Sequence, residues 1–304
     1  MVVDPRLTNN IHKKQQQKSA KDLNSNAIKI SNILHDKNLL CEKDEMVFEV
    51  SSDRDSDSFC NLENLKESIK MQKSLKEIFS KTNEIKKIKV FDTIIYKSDL
   101  RRLLPNKWLN DKILNVYLEN IGRKCVSNKY FSTYFFTSLI KYRNNENINS
   151  NNTIKEYVKN IKINLNYNEA AKDWIKYKKL FFPIHSSTHW TLFVYDFNNL
   201  MVFDSLESGF KNSRNAIIMS LILKKIFNKP VPVKIMTNIP KQNNGDDCGV
   251  FVCMFSKCLS FDLKFYRNPD MNNYRAYLLY EILFQDIILS SNSLKTKECK
   301  IEKI

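Results

Sequence analysis

Residues 242–255 read QNNGDDCGVFVCMF and set one cysteine, Cys248, between two of the chain's four glycines. A thiolate is a strong nucleophile. It is favoured by a nearby imidazolium and by the partial positive charge at a helix N-terminus. Cys248 meets the second condition if the apolar run from Val250 to Phe261 is a helix, with Gly245 and Asp246 forming a turn before it. Gly249 then leaves the backbone uncovered beside the thiol. The competing reading is a small apolar residue that opens a buried helix. The window alone does not decide between them.

A thiol nucleophile needs a base, and the chain holds four histidines: His12, His35, His185 and His189. The first two lie in a polar N-terminal stretch, which leaves His185 and His189. His189 begins HWTLFVYD, and Trp190 beside it could wall one side of a narrow channel. An imidazole also needs a group to orient it. Asp204, in MVFDSL, closes the next apparent strand. In a hairpin with an even-length loop, residues whose numbers sum to an odd value share a face, and 189 and 204 do so. A loop centred on Asp196 and Phe197 sets the two directly opposite. One centred on Asn198 and Asn199 displaces them by about four residues. The face is determined and the register is open. Asp196 is the rival orienter, but beside the loop it reads as a turn residue. Acyl transfer further requires donors for a tetrahedral oxyanion, each worth ~10²- to 10³-fold in rate. Gln242, six residues before Cys248, offers a side-chain amide, and the Cys248 N–H offers a second donor.

These blocks resemble the signature of the ubiquitin-like-protein-specific cysteine proteases, the SUMO protease (sentrin-specific protease) family of the adenain-like superfamily. The resemblance rests on HW at 189, FDSL at 203 and PKQNNGDDCGVFVC at 240–253. KWLND at 107–111 and YFFTSL at 134–139 extend it in family order over roughly residues 88–290. It implies a papain-like/adenain-like α+β fold with a central mixed sheet flanked by helices. It implies His189 as base, Asp204 as orienter, Cys248 as nucleophile and Gln242 as oxyanion donor. It also implies that Trp108 and Trp190 flank an extended Gly-Gly tail, that Asp111 pairs with a basic residue of SUMO, and that Tyr134 is an aromatic substrate contact. A closed aromatic channel admits only glycine without a side-chain clash. The implied activity is hydrolysis after the C-terminal Gly-Gly of SUMO, in precursors and in lysine conjugates, with no metal and no cofactor. The implied partner is SUMO or a related modifier such as NEDD8 or ubiquitin. An inactive modifier-binding module is the alternative of a different class, but its sequence trace, loss of Cys, His or Gln, is absent. Location in the nucleus or its envelope follows from the resemblance, with the cytoplasm as alternative, and a monomer is expected. One departure stands out: the His-to-Asp interval is two residues shorter than the family spacing. A two-residue loss from a hairpin preserves side-chain facing.

These residues need elements to position them. KSDLRRLLPNKWLNDKILNVYLENI predicts a helix capped by Asn110 or Asp111, with Ile113, Leu114, Tyr117, Leu118 and Ile121 on its apolar side. An extended run over 88–96 precedes it. Strands over 179–206 turn at Asn198-Asn199, an apolar helix lies near 213–228, and VPVKIM (231–236) reads as a strand. Residues 273–289 read as an amphipathic helix. Mixed strands and helices without repeats indicate an α+β domain over 88–292.

Residues 1–60 are rich in Asn, Gln, Ser and Lys and read as a disordered tail. Within it, MVFEVSSDRDSDS (46–58) is similar to a SUMO-interacting motif, against a bland reading as an incidental apolar island. Residues 61–87 space apolar side chains as an amphipathic helical lead-in, and 293–304 read as a C-terminal tail. The N-terminus has no apolar signal region and no run of eighteen apolar residues occurs, so neither a membrane span nor secretion is indicated. Seven cysteines without a C-x-x-C pair point to reduced thiols. The net charge of +16 divides unevenly: residues 1–60 carry nine basic and ten acidic side chains, which places the whole surplus on the folded part. An acidic partner fits that surplus, but no basic stripe interleaved with aromatics accompanies it, and a nucleic-acid reading rests on charge alone.

Overall fold

The computed structural model describes residues 87–142, 161–163, 165–186, 188–206, 210–265, 269–289 and 302–303. The tail at 1–60, the motif at 46–58, the lead-in up to residue 86 and the Asn-rich stretch from residue 143 lie outside the described residues. So does most of the stretch 293–304.

The extended run at 88–96 is a hairpin rather than one strand. β1 (Lys87–Val90) and β2 (Thr93–Tyr96) pair antiparallel, and Phe91 takes a left-handed φ of 52° at the turn. β1 pairs on its other edge with a two-residue strand, Glu302–Lys303. A short helix, α1 (Lys97–Leu100), and a 3-10 turn (Arg101–Leu103) lead into an irregular segment that carries Trp108. Helix α2 (Asp111–Lys124) is capped by Asn110, whose side chain accepts from the Ile113 N–H. All five residues expected on its apolar side are buried.

The centre is a five-stranded mixed sheet: β3 (Asn128–Tyr130), β6 (Lys179–Ser186), β7 (His189–Tyr195), β8 (Leu200–Phe203) and β9 (Val233–Ile235), in that spatial order. β3 runs parallel to β6 and β9 parallel to β8, and the other pairs are antiparallel. A short helix, α3 (Phe135–Leu139), leads into a small second sheet that joins β4 (Ile140–Tyr142) to β5 (Ile161–Ile163). Strand residues alternate between two cores. Phe181, Leu192, Val194, Met201 and Phe203 face one, together with α2, α6 (Cys248–Ser260) and α7 (Met271–Phe284). Leu180, Phe182, Phe193, Tyr195 and Val202 face the other, with α4 (Tyr167–Trp174) and α5 (Phe210–Phe227). Burial on both faces explains why β6–β8 read as nearly unbroken apolar runs. Trp174 is part of the second core, and Cys253 and Cys258 are buried in the first. Among the described residues, no helix is long and apolar enough to cross a membrane.

Two expectations are corrected. α7 ends at Phe284, where Gln285 adopts the left-handed conformation, and residues 285–289 are irregular. Nor is it amphipathic: Arg275 and Glu281, which suggest a wet face in the sequence, are both buried. Glu281 accepts from Tyr117 Oη at 2.7 Å, Lys257 Nζ at 2.6 Å and the Ile288 N–H at 2.7 Å, so this charge is paired inside the protein.

Candidate active site

The topology brings three chain segments to one end of the sheet. β7 begins there with His189, and antiparallel β8 ends there just before Asp204. β9, parallel to β8, ends at the same side and releases the loop that delivers Gln242 and Cys248. That loop is docked on the strand end: the Gln242 N–H donates to Ser205 O at 2.9 Å, and Lys241 Nζ donates to Asp204 O at 3.0 Å.

The β7–β8 register pairs Leu192 with Phe203 and Tyr195 with Leu200. The loop is therefore 196–199, turning at Phe197-Asn198, midway between the two alternatives left open by the sequence. Asp196 Oδ1 accepts from the N–H groups of Asn198 and Asn199, at 2.8 and 2.7 Å, which is the work of a turn residue and not of an orienter. Continued by one pair, this register sets Asp204 opposite Thr191 and diagonal to His189. Diagonal residues on one face are about 7–8 Å apart at the backbone, within reach of long side chains. His189 Nε2 and Asp204 Oδ1 lie 2.6 Å apart. The Leu206 N–H also donates to Asp204 Oδ1, at 3.0 Å, and holds the carboxylate in place.

Cys248 is the first residue of α6, is buried, and acts on the same imidazole. Burial opposes a charge on His189, but the Asp204 hydrogen bond and charge, together with Cys248, outweigh it and raise the pKa from 6.5 to about 9. With Nε2–H donated to Asp204, Nδ1 is the nitrogen left for the thiol. Nδ1 is buried and has no hydrogen-bond partner among the described residues. Catalytic hydrogen bonds commonly tighten when substrate binds. His185 stands outside this group. It is exposed, and its ring lies against Trp190 with centroids 4.4 Å apart.

Gln242 is buried and held at both ends of its amide. Ser205 Oγ donates to Oε1 at 2.6 Å, and Nε2 donates to Asn244 O at 2.7 Å, which leaves the second hydrogen of Nε2 available to another acceptor.

The segment 108–111 lies across the site. Trp108 is 49% exposed and donates from Nε1 to Gly245 O at 2.9 Å. Trp190 is buried and donates from Nε1 to Leu109 O at 3.2 Å. Each tryptophan is thus tied across to the segment opposite it. Leu109 also explains Gly249: a Cβ there would sit 2.9 Å from Leu109 Cβ. The glycine therefore serves packing rather than an open approach to the thiol, which corrects the sequence expectation. Gly245 has open space around it and needs no glycine for steric reasons. Asp99 anchors the segment from behind, accepting from Asn110 Nδ2 at 2.8 Å and pairing with Lys112 at 3.2 Å. Burial works against its charge, but the Tyr96 N–H, Asn110 and Lys112 together hold its carboxyl below the usual range. Asp111 and Tyr134 are neighbours at the surface. Partial burial and then the charge and hydrogen bond of Asp111 raise the phenol pKa, and Tyr134 is 57% exposed.

All eight residues singled out in the sequence except Asp111 and Tyr134 belong to one connected arrangement, and those two form a separate pair along the start of α2. Sequence reasoning missed Ser205, Asn244, Asp247 and Arg275. Only Arg275 carried a signal, as a lone cation in an apolar stretch.

Residues 107–287 match the family model described as the Ulp1 protease family, C-terminal catalytic domain. A sentrin-specific protease of Caenorhabditis elegans is 26% identical over 217 residues, 66% of this chain and 29% of that protein. Human sentrin-specific protease 5 is 28% identical over 198 residues, 60% of this chain but 23% of the relative. The chain therefore spans less than a third of the length of these curated relatives. Among solved structures, the C-terminal Ulp1 protease domain in complex with Smt3, the yeast orthologue of SUMO, aligns with a TM-score of 0.53 at 24% identity. The alignment covers 76% of this chain and 99% of that domain, and it establishes the fold.

Proposed function

The chain belongs to the Ulp1 protease family, and from that premise we propose that it is a SUMO-directed thiol protease. It hydrolyses the bond after the C-terminal Gly-Gly of SUMO, both in precursors and in conjugates to lysine. The observation that carries this reading is the 2.6 Å His189–Asp204 bond on an imidazole that Cys248 also acts on from a helix N-terminus.

The Cys248 thiolate attacks the terminal glycine carbonyl. The free N–H of Gln242 and the backbone N–H of Cys248 receive the oxyanion. His189, protonated by the thiol and held in that state by Asp204, gives its proton to the departing lysine amine, and a thioester remains. Water, deprotonated by His189, then attacks the thioester and releases the free Gly-Gly carboxylate. Trp108, bonded to the Gly245 carbonyl, and Trp190, bonded to the Leu109 carbonyl, close over the extended tail and select against side chains at its last two positions. Asp111 and Tyr134, paired at the surface, meet the body of the modifier.

The experiment is a panel of C-terminally activated SUMO, NEDD8 and ubiquitin probes. Covalent labelling by the SUMO probe, lost in Cys248→Ala, is expected. Labelling by the NEDD8 or ubiquitin probe alone overturns the SUMO assignment, and binding of SUMO without any labelling or cleavage makes the chain a binding module.

A further inference from the structure

Two irregular segments meet at the site, one ending at Trp108 and the other running from Gln242 to Cys248, and neither is paired to the other as strands. Between them lies the guanidinium of Arg275, from α7, 1% exposed. Nε and Nη2 donate to Asp247 Oδ1 at 2.9 and 2.6 Å. Nη1 donates to Arg102 O and Leu104 O at 3.0 and 3.1 Å, and Nη2 to Lys107 O and Asp246 O at 2.8 and 3.1 Å. Asp247 directly precedes the cysteine, and Lys107 directly precedes the exposed tryptophan.

The connection continues outward. Asn244 Nδ2 donates to Asp247 Oδ2 at 2.7 Å, and Asn244 O receives Gln242 Nε2. One buried cation therefore reaches the residue before the nucleophile, the residue before Trp108 and, through Asn244, the amide proposed for the oxyanion. A lysine in its place carries the charge but offers three donors from a single point, so it cannot span acceptors on both segments.

We propose that Arg275 is a positioning residue: it sets Cys248 and Gln242 in register with the tryptophan segment that receives the Gly-Gly tail. The assignment rests on the thiol chemistry proposed for Cys248. The bland alternative is a buried ion pair that supports the fold and nothing more.

The two separate in Arg275→Lys of the full chain, studied below its unfolding temperature. Three quantities are read: the rate of Cys248 alkylation by iodoacetamide, mapped by mass spectrometry; the rate of SUMO cleavage; and SUMO affinity in a Cys248→Ala background. Misplacement of reacting groups by about 1 Å costs up to ~10²-fold. Alkylation and cleavage are accordingly expected to slow together, by roughly 10- to 100-fold, with SUMO affinity retained. Wild-type alkylation in folded Arg275→Lys overturns the proposal, as does affinity that falls in step with cleavage. If the wild type alkylates readily but cleaves no modifier, the functional reading fails while the alkylation comparison still decides the role of Arg275. Should Arg275→Lys not fold, Asp247→Asn probes the same joint, because it keeps an acceptor for Arg275 but turns a donor toward Asn244. It must slow alkylation in a folded protein, and a wild-type rate there also overturns the proposal.

Discussion

Asp204 stands diagonal to His189 across the β7–β8 pair, two residues from direct opposition, and still places Oδ1 2.6 Å from Nε2. The turn sets this offset. Phe197 takes a left-handed φ of 69°, and Asp196 binds the two N–H groups that follow it, which fixes a tight turn at Phe197-Asn198. With Nε2 bonded to the carboxylate, Nδ1 is the ring nitrogen left over. Replacing Asp204 by Asn keeps the shape but removes the charge and allows the wrong tautomer. Asp204→Asn should lower kcat/KM by ~10²- to 10⁴-fold, measured by cleavage of a SUMO fusion, with the fold intact by circular dichroism.

The same pair governs pH dependence. The His189 pKa is raised in the folded state, from 6.5 to about 9. Its contribution to stability is therefore fully present below pH 6.5 and is lost as pH rises toward 9. Activity that requires the imidazolium as acid should likewise decline above about pH 9. A pH profile of kcat/KM checks this, and in Asp204→Asn the alkaline limb should move down toward neutral pH.

The two glycines beside the cysteine should behave differently. Gly249→Ala puts a methyl 2.9 Å from Leu109 Cβ, an atom fixed to the backbone, so one of the two segments must shift. Overpacking costs about 1–3 kcal/mol, against a helix-propensity gain of at most about 1 kcal/mol. Urea unfolding should show net destabilisation, and cleavage should slow because Leu109 sits next to Trp108. Gly245→Ala meets open space and should change stability by less than about 0.5 kcal/mol.

Lys257, from α6, and Glu281, from α7, form a buried ion pair at 2.6 Å. Lys257→Met leaves the carboxylate buried without its cation, which typically costs about 3–5 kcal/mol. Thermal unfolding should register this as a large fall in Tm, whereas the chemistry of the residual folded fraction should be little changed, because neither residue touches the site.

Much of this arrangement was legible because it depends on short-range pattern. Parity placed His189 and Asp204 on one face, and the apolar run after Cys248 marked a helix that starts at the thiol. The register was not legible, since it turns on whether Asp196 caps a tight turn, and a single Asp supports either loop. Gly249 was misread because its contact, Leu109, lies 140 residues earlier in the chain. Arg275 was missed for the same reason: four of its acceptors are backbone carbonyls of Arg102, Leu104, Lys107 and Asp246, which carry no residue-type signature. A cation in an apolar helix reads as a wet stripe until tertiary structure supplies its partners.

Cys248 is proposed as the nucleophile that accepts the SUMO C-terminus. Intact-mass and peptide mapping of the chain after reaction with a SUMO probe carrying a C-terminal alkyne tests it directly. A single adduct on Cys248 is expected, absent in Cys248→Ala and suppressed in His189→Ala. An adduct on another cysteine, or SUMO cleavage that persists in Cys248→Ala, contradicts it.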